Sequence, residues 1–112
     1  MSGGFVETCL SSETLDIHRA LASLQEEMEA IDFYHQRQEV TTDEALKAIL
    51  IHNRDDEMEH ATMLLEWLRR TMPGFDFQMK KLLFTTGDLT VLAKAVSPAV
   101  DTGVGLGLGP LK

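Results

Sequence analysis

Residues 57–60 of the chain read Glu57-Met58-Glu59-His60, inside the run 41–71, TTDEALKAILIHNRDDEMEHATMLLEWLRRT. Apolar residues recur through this run at the spacing of an α-helix. At about 100° per residue, the apolar side chains within a quarter turn of Glu57 include Leu46, Ile49, Leu50, Leu64, Trp67 and Leu68. Because Glu57 and His60 are three residues apart, both project from this apolar stripe. A buried carboxylate needs a partner, so the sequence predicts one for Glu57.

Composition restricts the classes of function. The chain has 112 residues, enough for one small domain. Lys and Arg number 10 and Asp and Glu 18, a net charge of −8. This balance argues against nucleic acid and anionic membranes as partners and favours cations. With 44% hydrophobic residues, the chain as a whole is not compositionally disordered.

Location is predicted from three features. No apolar run approaches about 18 residues, so no transmembrane helix is expected, and the first residues lack the basic-then-apolar pattern of a signal peptide. Cys9 is the only cysteine, which excludes an internal disulfide and favours a reducing cytoplasm. We expect no role for Cys9.

The first 40 residues are predicted to form a flexible arm, 1–10, and a long helix. Ser11 or Ser12 is the expected N-cap, and the helix is expected to end near Gln38. Its apolar stripe consists of Ile17, Ala20, Leu21, Leu24, Ile31 and Tyr34. Glu27 lies within this stripe and is the second carboxylate expected to be buried.

A second long helix follows a short turn. Thr41 with Glu44 three residues later predicts a capping box, and the helix should continue to about Thr71. Two long helices joined by so short a turn predict an all-α antiparallel hairpin.

The rest of the chain is predicted to be less regular. A short third helix is expected over 75–84, which completes a helical domain over 11–84. Residues 85–102 are expected to be a linker with weak helix over 89–96. Alternate glycines and regularly spaced leucines make 103–112 a flexible terminal peptide. Such leucines suggest either a disordered tail or a segment that a partner binds.

A hairpin cannot bury apolar stripes of this length by itself, so packing predicts a dimer that forms a four-helix bundle. Di-iron sites in such bundles use a Glu from each of two helices and a Glu-x-x-His from each of the other two. One copy offers Glu27 and Glu57-x-x-His60, and two copies complete the set. The alternative is a buried Glu–His pair or Glu–Arg network that only stabilises the dimer.

Carboxylate and imidazole ligands favour iron, with manganese or zinc as competitors. With one cysteine, zinc-finger and iron–sulfur sites are excluded. Tyr34 follows Glu27 by seven residues on the same face, where it is either a hydrogen-bonding neighbour of the metals or an ordinary interface residue. Glu26 and Glu29 point away from Glu27 and form either a cation uptake site or a solvated face.

Two further acidic patterns are present on the helices. His52, Asp56 and Glu59 share a face of the second helix and form either another cation site or a solvated surface. The pattern Asp32-x-x-His35 imitates Glu57-x-x-His60. We discount it because Asp32 lies about 140° from Glu27 on the first helix.

Several long blocks of the sequence resemble the encapsulated ferritins. They are QEEMEAIDFY at 25–34, DEALKAIL at 43–50, HNRDDEMEH at 52–60 and LEWLRR at 65–70, and the likeness continues to Phe84. The resemblance implies a two-helix subunit whose dimers form a ring, commonly a decamer, with ferroxidase centres at the dimer interfaces.

The resemblance also implies roles for individual residues. The family's iron ligands match Glu27, Glu57 and His60, and its neighbouring tyrosine matches Tyr34. Its uptake acids match Glu26 and Glu29, and its outer cation site matches His52, Asp56 and Glu59, where calcium or zinc would bind. Phe33 replaces a tryptophan often found beside the tyrosine.

The terminal peptide resembles those that load such proteins into encapsulin shells, although Gly109-Pro110-Leu111-Lys112 departs from the commoner Gly-Ser-Leu ending. The sequence therefore predicts a ferroxidase that uses dioxygen and supplies iron for storage inside an encapsulin nanocompartment in the cytoplasm. The alternatives are a non-catalytic helical oligomer that binds calcium or zinc, and a cargo adaptor.

Overall fold

The chain folds entirely into helices in the part that the structure describes. This computed structural model describes residues 6–97. The elements are α1 (Ser12–Val40), α2 (Glu44–Thr71), α3 (Pro73–Leu82) and α4 (Leu89–Leu92), with no strand among the described residues. The predicted all-α class is confirmed. No helix within 6–97 is long and apolar enough to cross a membrane.

The chain divides into two compact units, one ending at Thr71 and one beginning at Met72. The first contains α1 packed against α2, and the second contains α3 packed against α4. The terminal peptide predicted at 103–112 and the first half of the predicted arm lie outside the described residues. The rest of the arm, 6–10, is not helical.

Ser11, the first of the two serines proposed as the cap, is the N-cap of α1. The Ser11 side chain accepts a hydrogen bond from the Thr14 backbone N–H at 3.1 Å, and Glu13 lies in the first turn, where negative charge is favourable. The helix continues two residues beyond the predicted end, to Val40. The Thr41 N–H then donates to the Arg37 carbonyl at 3.1 Å and closes it.

The predicted capping box at the start of α2 is wrong. Asp43, not Thr41, is in capping position, and its carboxylate accepts the Leu46 N–H at 2.9 Å. The reason is that α1 extends far enough for Thr41 to become its last cap. Thr41 Oγ1 instead accepts a long hydrogen bond, 3.4 Å, from the Asp43 N–H. The carboxylate also suits the positive end of the helix dipole.

The hairpin buries little apolar surface by itself. Only Ala20, Ala61 and Leu68 are buried apolar residues within 6–97. The large apolar residues left exposed on the two helices are Met28, Phe33, Val40, Leu46, Ile49, Met58, Met63 and Trp67. Leu46, Ile49 and Trp67 belong to the stripe that contains Glu57. Half of that stripe is therefore uncovered in a single chain.

The short helices differ from their predicted bounds. Helix α3 begins at Pro73 because proline is favoured in a first helical turn, and it ends at Leu82, before the predicted Phe84. The predicted weak helix over 89–96 reduces to α4, which the Asp88 side chain caps by accepting the Thr90 N–H at 2.8 Å.

Replacing Asp43 by Ala should lower the free energy of unfolding by about 1 kcal/mol, because the first turn of α2 loses its capping acceptor. Thr41→Ala should have a smaller effect, since its hydrogen bond is long. Urea denaturation at fixed protein concentration measures both changes. An equal loss for the two variants would contradict the assignment of Asp43 as the cap.

Candidate metal centre

Helices α1 and α2 bring three potential metal ligands together. Glu27 comes from α1, and Glu57 and His60 from α2, and one ligand atom of each lies within 4.8 Å of the others. His60 Nδ1 is 3.2 Å from Glu57 Oε1 and 3.6 Å from Glu27 Oε1. These are the three residues predicted as ligands from the sequence. Within 6–97, no other group of three or more such side chains gathers this closely.

The three side chains lie at the edge of the hairpin, not in its interior. About a quarter of each carboxylate side chain is exposed, 25% for Glu27 and 24% for Glu57, and 46% of His60. The predicted full burial of the two acids is therefore absent from a single chain. Their partners are His60 and each other, so the helix pair meets the need for partners without an arginine.

The two carboxyl groups influence each other's protonation. Their mutual hydrogen bond raises the pKa of Glu27 and lowers the pKa of Glu57, so a proton added to the pair would favour Glu27. The hydrogen bond to Glu57 in turn raises the pKa of His60. A bound cation would compete with protons for these three side chains.

The arginines near the end of α2 are engaged elsewhere. Arg69 donates to both carboxylate oxygens of Glu66 at 2.9 and 2.8 Å, and Arg70 donates to Glu66 at 2.7 Å. These contacts lower the pKa of Glu66 to about 2. A Glu–Arg network therefore exists, but Glu66 forms it and the two central acids do not.

The other predicted site residues on α1 are not part of the cluster. Tyr34 is half-buried, and its ring centroid is 5.9 Å from the guanidinium carbon of Arg37. The same guanidinium lies 5.5 Å from the Phe33 ring. Glu26 and Glu29 are both exposed, as a surface uptake site requires.

The predicted outer site on α2 is only partly assembled. His52 Nε2 is 3.2 Å from Asp56 Oδ2. Glu59 is exposed and does not gather with them into a cluster among the described residues. The pair His52–Asp56 alone offers two ligands.

One contact across the hairpin escaped the sequence analysis. Arg54 Nη1 is 3.1 Å from His35 Nδ1, and Arg54 Nε donates to Asp55 at 3.1 Å. Asp32 accepts a hydrogen bond from Gln36, so Asp32 and His35 have separate partners. The contact between Arg54 and His35 could not be predicted because it depends on the register between two helices. Residue spacing along one helix does not give that register.

Comparisons with known proteins bear on this geometry. A family profile described as EncFtn-like matches residues 6–86, most of the chain. The chain belongs to the EncFtn-like family. Its resemblance to encapsulated ferritins, inferred from the sequence, is confirmed.

Individual members of the family are close in sequence. The chain is 50% identical over 103 residues to a ferritin-like protein of Thermotoga maritima, covering 91% of this chain and 90% of that protein. It is 47% identical over 94 residues to an encapsulated ferritin-like protein of Rhodospirillum rubrum, covering 84% of this chain and 67% of that one.

A solved structure supports the fold. The crystal structure of protein ne0167 from Nitrosomonas europaea is similar with a TM-score of 0.75 and 55% sequence identity. The match covers 79% of this chain and 98% of the other. The EncFtn-like chain therefore has a ferritin-like helical fold, as predicted.

The raised pKa of His60 can be measured in metal-free EncFtn-like protein. By NMR of labelled histidines, His60 should titrate above its ordinary value of 6.5, and Glu57→Gln should lower its pKa. Because the pKa of His60 is higher in the folded state than in the unfolded state, its interaction with Glu57 stabilises the fold fully at pH values below the unfolded pKa. This stabilisation is lost as pH rises through the folded pKa.

Glu59→Gln is the matched control, because Glu59 is exposed and next to His60 in sequence. It should leave the titration of His60 unchanged. The assigned hydrogen bond would be rejected if both variants lowered the pKa equally.

Proposed function

We propose that this protein is a ferroxidase that oxidises Fe(II) to Fe(III) with dioxygen at a di-iron centre shared by two subunits. Membership in the encapsulated ferritin family supports a role in iron handling. The observation that carries the more specific proposal is the gathering of Glu27, Glu57 and His60 at the uncovered edge of the hairpin.

The chemistry of the three side chains suits iron as substrate. Carboxylate oxygens and imidazole nitrogens bind ferrous and ferric ions well. Carboxylates can also bridge two metals and offset the positive charge that grows on oxidation. Two ferrous ions held together supply two electrons to dioxygen. Fe(II) would compete with protons for Glu27 and Glu57, and His60 would bind through a neutral ring nitrogen.

One subunit offers too few ligands for two irons. Three donor side chains are half the set of four carboxylates and two imidazoles found in ferritin-like di-iron sites. The exposed apolar side chains of Leu46, Ile49 and Trp67 lie on the same face of α2, about two to three turns from Glu57. A second hairpin placed by two-fold symmetry would cover this apolar surface and add the missing ligands at the same axis.

The neighbouring residues receive supporting roles in the proposal. Tyr34 would approach the metals from the same face of α1 once the dimer forms. The exposed Glu26 and Glu29 would concentrate Fe(II) at the approach to the site. His52, Asp56 and Glu59 would hold calcium or zinc if a neighbouring subunit completes the set.

The proposal extends to where the iron is stored. A ring of two-helix subunits, which family resemblance suggests is a decamer, would enclose no cavity suited to a mineral. Storage would therefore fall to an encapsulin shell in the cytoplasm, which would bind the terminal peptide 103–112.

The ferroxidase proposal is tested by adding Fe(II) in air and following ferric absorbance. Glu57→Ala should reduce the initial rate by about tenfold or more, because a ligand contributes at least as much as the outer residues that orient it. Glu39→Ala is the matched control, since Glu39 is an exposed acid on α1 away from the cluster. Equal rates in wild type and Glu57→Ala would reject the proposed enzyme.

The same assay separates the alternatives. A wild-type protein that binds calcium or zinc through these residues but forms no ferric product would be the non-catalytic oligomer. Circular dichroism and sedimentation of Glu57→Ala should match wild type, so that lost activity reflects the site and not the fold.

The shared site predicts that activity requires the dimer. Ile49→Glu places a charge on the uncovered stripe and should shift the protein towards monomer, with the oxidation rate per subunit falling in parallel. Met63→Glu is the control, because Met63 is also exposed but lies about 120° from Glu57 around α2. Sedimentation and rate are measured on the same samples. Full activity in a monomeric Ile49→Glu protein would contradict a shared centre.

A further inference from the structure

The second unit contains a lysine in an unusual setting. Lys81 on α3 is 6% exposed and is the only buried polar or charged residue within 6–97. Lysine is rarely buried unless its ammonium group is paired. Here the Nζ donates to the carbonyl of Ala93 at 2.9 Å and to that of Ala95 at 3.0 Å. The ammonium also lies 5.4 Å from the centre of the Phe77 ring.

Those carbonyls lie on a segment that doubles back towards α3, which we call the strap, residues 83–96. The chain leaves α3 through Phe84, with φ of 58°, and turns again at Gly87, with φ of 101°. Left-handed backbone is costly for a large residue such as Phe and acceptable for Gly. After α4, the N–H groups of Lys94 and Ala95 donate to Val91 and Leu92 carbonyls and continue the turns.

Apolar burial does little to hold the strap. Leu89, Val91 and Val96 are 59%, 61% and 90% exposed, and Leu92 is only half-buried. A helix of four residues is also unstable by itself. The two charge-assisted hydrogen bonds from Lys81 are therefore the principal restraint.

We propose that Lys81 is an anchor that holds the strap against α3 and so fixes the point from which the chain continues beyond Ser97. An ammonium group has three donors, and two of them bind carbonyls at separate positions of the strap. The two hydrogen bonds therefore restrain both the distance of the strap from α3 and the direction in which the strap runs. The consequence for shell binding rests on the proposed function, because it requires that residues 103–112 dock to the shell.

The anchor is tested in the full chain by amide hydrogen exchange. Lys81→Met keeps the length and apolar stem of the side chain but removes the ammonium. Protection of the amides at 91–95 should fall by about tenfold or more, the effect expected for losing hydrogen bonds from a charged group. Protection within α1 and α2 should stay unchanged.

Two further variants identify the cause. Lys80, the neighbour of Lys81 in sequence, forms an ion pair with Asp76 at 3.0 Å. Lys80→Met removes this ion pair and should leave the amides of the strap protected. Lys81→Arg keeps a cation with several donors and should retain part of the protection. Full protection in Lys81→Met, or the same loss in Lys80→Met, would overturn the anchor. Equal loss throughout α3 would also overturn it, because Lys81 would then stabilise the whole unit.

Co-expression with the shell protein tests the consequence. Lys81→Met should lower the amount of protein that co-purifies with shells relative to Lys80→Met, while the oxidation rate per subunit stays unchanged. Normal loading of Lys81→Met with a released strap would overturn the positioning role. Deletion of 103–112 should abolish loading, and loading that survives this deletion would reject shell docking itself, whatever the strap does.

Discussion

Contact between the Glu27 and Glu57 carboxyl groups is the constraint on which the rest of the hairpin depends. Two neighbouring carboxylates repel each other when both are ionised, so a nearby proton or cation stabilises the pair. The opposite shifts in the two pKa values reflect this interaction, and His60 Nδ1 lies near both carboxylates. A metal ion would offset both negative charges and bind all three side chains together. The geometry of the cluster therefore favours cation binding.

That contact depends on the register between α1 and α2. The turn between the helices consists of Thr41, Thr42 and Asp43, and each end is closed by its own hydrogen bonds. Because Thr41 ends α1 and Asp43 starts α2, the turn has little freedom in length. The register then places Glu27 opposite Glu57, and it also places His35 beside Arg54 towards the same turn. A shift of one residue would rotate the ligands away from each other by about 100°.

The sequence predicted the long helices and the three side chains that gather on them for a physical reason. Helical periodicity is local, so the long helices and the apolar setting of Glu57 could be derived from spacing, and Glu27 could be found by the same rule. Spacing could not predict the cap at Asp43 or the contact between Arg54 and His35, because both depend on where one helix ends relative to another. Lys81 was missed similarly, because its acceptors are backbone carbonyls, which leave no pattern of side chains to detect.

The partial exposure of the cluster connects folding to activity in the proposed enzyme. A monomer that buried both acids fully would need no partner, whereas one that left them in water would bind metals weakly and without selection. This hairpin lies between these limits, because the three side chains are partly exposed and share the face of α2 with exposed apolar side chains that water disfavours. Association would remove the apolar surface from water and enclose the ligands in the same step. Assembly would thus also exclude water from around the metals, and the lower local polarity would strengthen their binding to the carboxylates. An isolated subunit would have neither benefit, so assembly itself would control where iron is oxidised.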